Sequence, residues 1–242
     1  MIDALRFERA KANALGPAED GIGTLGEKTV HAVLKAYYRA EGMQAEVPLG
    51  RHIADLWDGR SAIEIQTRSL GRLGPKLDAW LPHHPVRVVV PVPRHKWLVW
   101  LDPETAAMSQ KRRSPKAGQP CHALTELYDL RGRLGHPNLS ITLVMLDILE
   151  YRALGPQGKR GSRRYDRLPL ELVREIELSG RHGWAQLIPE GLPAPFTSRD
   201  FSKAGGLSNR GRQVWKSLQA LETMGAITRC GKQGNSILYG EK

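Results

Sequence analysis

Two apolar runs constrain this chain more than any other feature. Val86–Val92 is a near-continuous series of β-branched residues, and Ile141–Leu149 is a second apolar stretch. Both are too short to cross a bilayer, which takes about 20 residues of helix, so they read as strands buried on both faces. Helical segments are present to cover them. Over Thr24–Tyr38 the residues Leu25, Val30, Val33, Leu34 and Tyr37 recur at helical spacing, after a Gly21-Ile22-Gly23 loop. Extended stretches are expected at Gln44–Leu49, His52–Trp57 and Ser61–Thr67, the last two joined by Asp58-Gly59, a dipeptide suited to a tight turn. A second helix is predicted over Leu70–Leu81, with Pro75 limiting its first half. The strand Val86–Val92 follows, then another at Trp97–Leu101. The order is helix, three strands, helix, strand, an α/β arrangement. A helix near Ala123–Leu130 and a strand at Leu139–Leu149 complete the first domain. Trp57, Trp97 and Trp100 read as core.

The C-terminal part has a different texture. Residues 155–165 are glycine-rich and basic and read as a linker, which gives a first domain over 1–154 and a second over 166–242. Leu168–Leu178 is expected to be an amphipathic helix. Thr197 with Asp200 three residues later has the form of a capping box, with Phe196 and Phe201 placed as a hydrophobic staple. After a Gly205-Gly206 turn, Ser208 caps a longer helix that carries Val214, Leu218, Leu221 and Met224. Ala226–Cys230 and Ser236–Tyr239 flank a basic tip and read as a β-hairpin. Helix, helix–turn–helix, hairpin is the order of a winged helix.

Charge narrows the range of partners. Thirty-six Lys plus Arg against twenty-five Asp plus Glu leave a formal net charge of +11 among 242 residues. Such a surplus attracts polyanions and suits a phosphate backbone. On the longer C-terminal helix Asn209, Arg210, Arg212, Gln213 and Lys216 lie on the polar side, where such side chains read base edges or hold phosphates. Arg229, Lys232 and Gln233 occupy the hairpin. Lys111, Arg112 and Arg113 fall in a breaker-rich basic loop, 111–120, and are further phosphate-contact candidates. Two cysteines with no CxxC pair give neither a zinc knuckle nor a disulfide framework and fit a reducing cytoplasm. The N-terminus has no signal-peptide core, and no membrane association is expected.

One constellation points to chemistry. Asp55 ends one strand and Glu64-Ile65-Gln66 lies on the next, so a hairpin can bring the two carboxylates together. Two carboxylates and a main-chain carbonyl are the oxygen donors that Mg²⁺ or Mn²⁺ accepts. A cation held there can activate a water for attack on a phosphodiester. Glu27, on the first helix, can add a further oxygen. This set, in this element order, resembles the PD-(D/E)XK phosphodiesterase superfamily over Gly21 to Leu101. The resemblance implies a restriction-endonuclease-like αβββαβ core with a second, smaller winged-helix domain. It implies Asp55 and Glu64 as metal ligands, Glu27 as an auxiliary ligand, and DNA as substrate, with RNA as the alternative and a homodimer as one form of assembly. Gln66 stands where the family has its lysine; members with Gln there exist, and such an amide can orient the water and donate a hydrogen bond. In some members that lysine has moved to the following helix, which makes Lys76 the candidate; Arg68, on the same strand face, also supplies positive charge. Three functions stay open: a metal-dependent endonuclease, a DNA-binding regulator on a nuclease fold that has lost its activity, and a scaffold whose winged helix docks a larger complex while its nuclease domain handles RNA.

Overall fold

The computed structural model describes residues 3–15, 29–156, 158–207 and 211–242. In chain order the elements are α1 (Ala4–Leu15), α2 (Thr29–Tyr38), β1 (Gln44–Leu49), β2 (His52–Trp57), β3 (Ala62–Ile65), α3 (Gly74–Trp80), β4 (Val86–Leu101), β5 (Arg112–Arg113), α4 (Leu124–Leu127), β6 (Leu139–Gly155) and β7 (Gly158–Glu177). They continue with α5 (Gly180–Ala185), β8 (Phe196–Thr197), α6 (Ser198–Ala204), α7 (Gly211–Thr223), β9 (Ile227–Gln233) and β10 (Ser236–Glu241). The fold is mixed α/β. One large sheet has the order β1-β2-β3-β4-β6-β7, with β5 paired to β4, and a separate three-stranded sheet has the order β8-β10-β9.

The chain forms two compact units, each assembled from three stretches: residues 1–43, 93–118 and 144–175 in the first, 44–92, 119–143 and 176–242 in the second. In the first unit α1 opens on Asp3, whose carboxylate accepts from the Arg6 N–H at 2.9 Å and so satisfies a donor of the first turn. Its apolar side buries Phe7 and Ala10, and Phe7 meets Tyr37 of α2 edge to face at 5.7 Å. Lys11 reaches the Leu170 carbonyl of β7 at 2.9 Å, and the Tyr38 hydroxyl donates to Glu175 on the same strand. The helices thus meet each other through aromatic packing and reach β7 through polar contacts.

In the second unit β1 and β2 form a hairpin whose turn residue Gly50 has φ +64°. At the next turn the Asp58 carboxylate accepts from the Arg60 and Ser61 N–H groups at 2.8 and 2.6 Å, and Gly59 takes φ +90°, a backbone region open mainly to glycine. β2 and β3 are antiparallel, whereas β3 and β4 are parallel. A parallel pair requires a crossover, and the turn Leu70–Leu73 with α3 provides it. Leu70, Leu73, Leu77 and Trp80 are buried on its inner side. The C-terminal elements belong to this same unit: Thr125 of α4 lies 3.4 Å from Ser217 of α7, and His122 meets the Gly205 carbonyl at 2.8 Å.

The sequence expectations for β1 and β2 match their observed limits, and the Thr197–Asp200 capping box is present. Others need correction. Leu168–Leu178 is not a helix, and the residues before it do not form a loose connection: Gly158–Glu177 is one strand. It neighbours β6 in the sheet with a two-residue link between them, which only an antiparallel hairpin permits. The expected strands at 86–92 and 97–101 are one continuous strand. Part of the expected loop at 111–120 is strand β5, where Arg112 and Arg113 pair with Leu98 and Trp97. Trp57, Trp97 and Trp100 are half-buried rather than core. The helix α1 has no counterpart in the sequence reading.

Candidate active site

The carboxylates come together where β2 and β3 part. Their ladder pairs Trp57 with Ala62 and Leu56 with Ile63, and the next facing residues are Asp55 and Glu64. There the side chains take over the bonding. The Ile65 N–H donates to the Asp55 carboxylate at 2.7 Å, and the Asp55 N–H donates to Glu64 Oε1 at 3.1 Å. Each acid therefore satisfies an amide of the opposite strand. On its other edge β3 pairs with β4 from Ala62 to Ile65, and the Gln66 N–H continues that side by donating to the Val89 carbonyl.

Glu64 is only 2% exposed. Lys76, from α3, donates to Glu64 Oε2 at 2.8 Å and to the Ile53 carbonyl at 2.7 Å, and lies 5.4 Å from the centre of the Trp80 ring. The helix begins at Gly74, with Pro75 in its first turn directly before this lysine. Burial pushes the Glu64 carboxyl above its ordinary value and the Asp55 charge adds to this, while Lys76 pulls the other way without overcoming them. Two acids that resist joint ionisation are a donor set that a divalent cation relieves. Asp55 and Glu64 fit a hard cation on this ground. Among the described residues no cluster of three His, Cys, Asp or Glu has the spacing of a metal site. Glu27, the expected third acid, lies outside the described residues.

Trp80 also lines a cavity of about 310 Å³, together with Arg51, His52, His83 and His84. Its walls combine aromatic rings with the Arg51 guanidinium. Nothing in the sequence pattern marked it, since its histidines are split between the β1–β2 turn and the end of α3.

The remaining candidates are dispersed. The Gln66 amide is turned to its own chain: it donates to the Arg68 carbonyl at 2.5 Å and reaches the Ser69 carbonyl at 3.5 Å, beside the left-handed backbone of Ser69. Arg68 is exposed. Lys111, Arg112 and Arg113 belong to the first unit, with the Lys111 ammonium 5.1 Å from the Trp97 ring centre. Ser208, Asn209 and Arg210 lie outside the described residues. Arg212 is exposed at the start of α7, and Gln213 is half-buried. Lys216 is paired with Asp129 at 2.6 Å and sits near the Tyr128 ring. Lys232 is exposed on β9, and Arg229 is paired with Glu222 at 2.9 Å.

Ionised groups within β6 escaped the sequence reading. Asp147 and Glu150 are buried in a strand whose other buried residues, Thr142 apart, are Leu, Ile, Val and Met. The interrupted apolar run was the available signal, but their partners lie elsewhere in the chain.

The family model described as Domain of unknown function (DUF8091) matches residues 28–179. The chain belongs to that family. The matched DUF8091 region contains Asp55, Glu64, Lys76 and the buried acids of β6, and it ends before α5. A protein of Treponema pallidum (strain Nichols), named as an uncharacterized protein, is 31% identical over 226 residues, which is 90% of this chain and 86% of that protein. No solved structure matches the chain. Among the described residues no helix is long and apolar enough to cross a membrane.

Proposed function

We propose that this DUF8091 protein is a divalent-metal-dependent DNA endonuclease with a restriction-endonuclease-like core and a C-terminal winged-helix module. The observation that carries the proposal is the meeting of Lys76 with Glu64 at 2.8 Å, beside Asp55. An acid from each of two adjacent strands, joined by a lysine from the next helix, is the arrangement expected when the motif lysine has migrated and left Gln66 in its place.

Asp55 and Glu64 would hold Mg²⁺ or Mn²⁺, and such an ion supplies an acidified water and a polarised phosphodiester. Asp55 orients through its bond from the Ile65 amide, and Glu64 through its bond from the Asp55 amide. Lys76 provides the positive charge that the phosphate develops a need for in the transition state. The cavity bordered by Trp80, Arg51 and three histidines suits a flanking nucleotide, with rings for stacking and a guanidinium for phosphate. The formal charge of +11 favours the same class of substrate. The C-terminal order α5, β8, α6, α7 and the β9–β10 hairpin supports the winged-helix reading.

The test is cleavage of supercoiled plasmid with Mg²⁺ or Mn²⁺, with DNA binding measured in parallel. Wild type is expected to nick or linearise the plasmid, and Asp55→Ala and Glu64→Ala to bind DNA without cutting it. Wild-type binding with no cleavage under either ion would replace the enzyme by a DNA-binding regulator. That second reading draws on the self-satisfied state of the carboxylates, which already hold two amides and a lysine.

A further inference from the structure

In the first unit the continuation of β6 carries two buried acids with different company. Asp147 is matched: Arg94 grips both its oxygens at 2.8 and 2.6 Å, and the His95 N–H donates at 3.2 Å. Glu150 is surrounded instead. Arg152 Nη1 donates to one oxygen at 2.9 Å and Arg167 Nε to the other at 3.0 Å. Arg152 is fixed further by Ser162, through both the hydroxyl and the carbonyl at 3.1 Å.

Lys96 on β4 stands beside this pair of guanidiniums. It is half-buried, and among the described residues no group forms a hydrogen bond or ion pair with its ammonium. Burial holds its pKa below that of an ordinary lysine; Glu150 opposes this, while Arg167, Lys116 and Arg152 add to it. Lys96, Arg152 and Arg167 therefore share a single carboxylate, and the exposed Lys116 joins them from the segment whose Ser114 N–H donates to the Lys96 carbonyl at 2.7 Å. Positive charge withheld from water and left uncompensated is costly, and an anion entering the cluster would relieve it. The neighbouring surface extends the same sign. Lys159 lies 4.4 Å from the centre of the Trp100 ring, and residues 93–118 with 144–175 hold thirteen Lys plus Arg against seven Asp plus Glu.

We propose that Lys96, Lys116, Arg152 and Arg167 form an anion site for a phosphate group. Arginine forks match the paired oxygens of a phosphate, and a lysine adds a point charge where no fork fits. A carboxylate ligand presents fewer oxygens and one charge to four cations. The same chemistry is offered by a nucleic-acid backbone and by free phosphate. This site is independent of the Asp55–Glu64 reading, because it shares none of its residues.

The experiment uses the whole chain and the variants Lys96→Met and Lys116→Met, which remove the ammonium and keep much of the stem. Lys96→Met is expected to fold at least as well as wild type, since the charge it loses is the one that burial disfavours. Two probes separate the sources. Inorganic phosphate at 10 mM is expected to raise the wild-type unfolding midpoint by about 3 °C and either variant's by less than about 1 °C. With a labelled 20-base-pair duplex, each variant is expected to flatten the slope of log affinity against log salt by about 0.9. A flattened slope identifies a nucleic-acid phosphate as occupant. A lost phosphate response with an unchanged slope identifies a small phosphate. Variants that match wild type in both measurements overturn the proposal, whatever the plasmid assay gives. Cleavage lost in Asp55→Ala with a normal response at Lys96 leaves it standing, and absence of any cleavage in wild type does not touch it.

Discussion

Removing Lys76 isolates the best-defined interaction of the candidate active site. In Lys76→Met the Glu64 carboxylate, 2% exposed, loses a donor at 2.8 Å and keeps the Asp55 amide at 3.1 Å. Breaking a buried ion pair from one side costs about 3–5 kcal/mol. The lysine side chain is 26% exposed, so the lower end applies, about 3 kcal/mol at pH 7, or about 6–12 °C in the unfolding midpoint of a chain this size. The pH dependence has a definite sign. Glu64 already titrates above its unfolded value of 4.5, and losing Lys76 raises it further. Stability from a raised carboxyl is fully present below the unfolded value and is lost as pH rises through the folded one. The deficit of the variant relative to wild type is thus expected at pH 7 and absent at pH 4. Urea unfolding followed by tryptophan fluorescence measures it as the shift in midpoint multiplied by the slope. Adding Glu64→Gln to Lys76→Met is expected to recover most of the loss at pH 7. A deficit below about 1 kcal/mol at pH 7, or one of equal size at pH 4, would refute the claim that Lys76 compensates a buried charge.

Other perturbations test the rest of the molecule. Burial pushes the Glu150 carboxyl up, but Arg167, Lys96 and Arg152 outweigh it and hold it below 4.5; Glu150→Gln is expected to cost about 3 kcal/mol at pH 7, shrinking as pH falls below 4.5, as read by the same urea titration. Gln66→Ala is expected to lose about 1 kcal/mol through the freed Arg68–Ser69 turn and to keep plasmid cleavage near the wild-type rate, whereas Lys76→Met lowers the rate by on the order of 10². Cys230 is exposed, while Cys121 is buried with its thiol pushed up to about 12. A thiol-reactive dye is therefore expected to label Cys230 alone in the folded chain and both cysteines in denaturant, and rapid native labelling of Cys121 would show that its surroundings open. Thr197→Ala removes the hydroxyl that accepts from the Asp200 N–H at 3.3 Å and is expected to cost about 1 kcal/mol, seen as a lower unfolding midpoint.

Short elements with strong punctuation were legible in the amino-acid order. Asp58-Gly59 fixes a turn by local bonding, and the apolar alternation of β2 sets which of its residues face inward, so β1 to β3 could be placed before their partners were known, although β3 proves buried at every position. The Asp55–Glu64 encounter follows from that register. Lys76 was legible only as a candidate, because its contact depends on how far the crossover helix sits along the sheet. The β7 segment misled for a specific reason. Leu168, Leu170, Leu172, Ile176 and Leu178 alternate with period two, yet Leu168, Leu172 and Ile176 also recur with period four. Pairing with β6, a tertiary influence, decides between them. The charge cluster around Glu150 was hidden by distance: Lys96 and Arg167 are remote in the chain, and a window that reads Ile141–Leu149 as apolar sees no reason for an acid there.

The chain passes between its two compact units at residues 43/44, 92/93, 118/119, 143/144 and 175/176. On the ribosome, then, neither unit can be finished as an early, self-contained piece. The first lacks a strand segment until Glu175 has emerged, and the second waits for the last hairpin. Helices α1 and α2 can pack on each other early, but the strand that Lys11 and Tyr38 reach, β7, starts more than 140 residues after α1 ends. Such late closure slows folding and ties the fate of the N-terminus to that of the C-terminus. A nonsense mutation anywhere between β1 and β7 would leave two incomplete bodies rather than one intact and one missing.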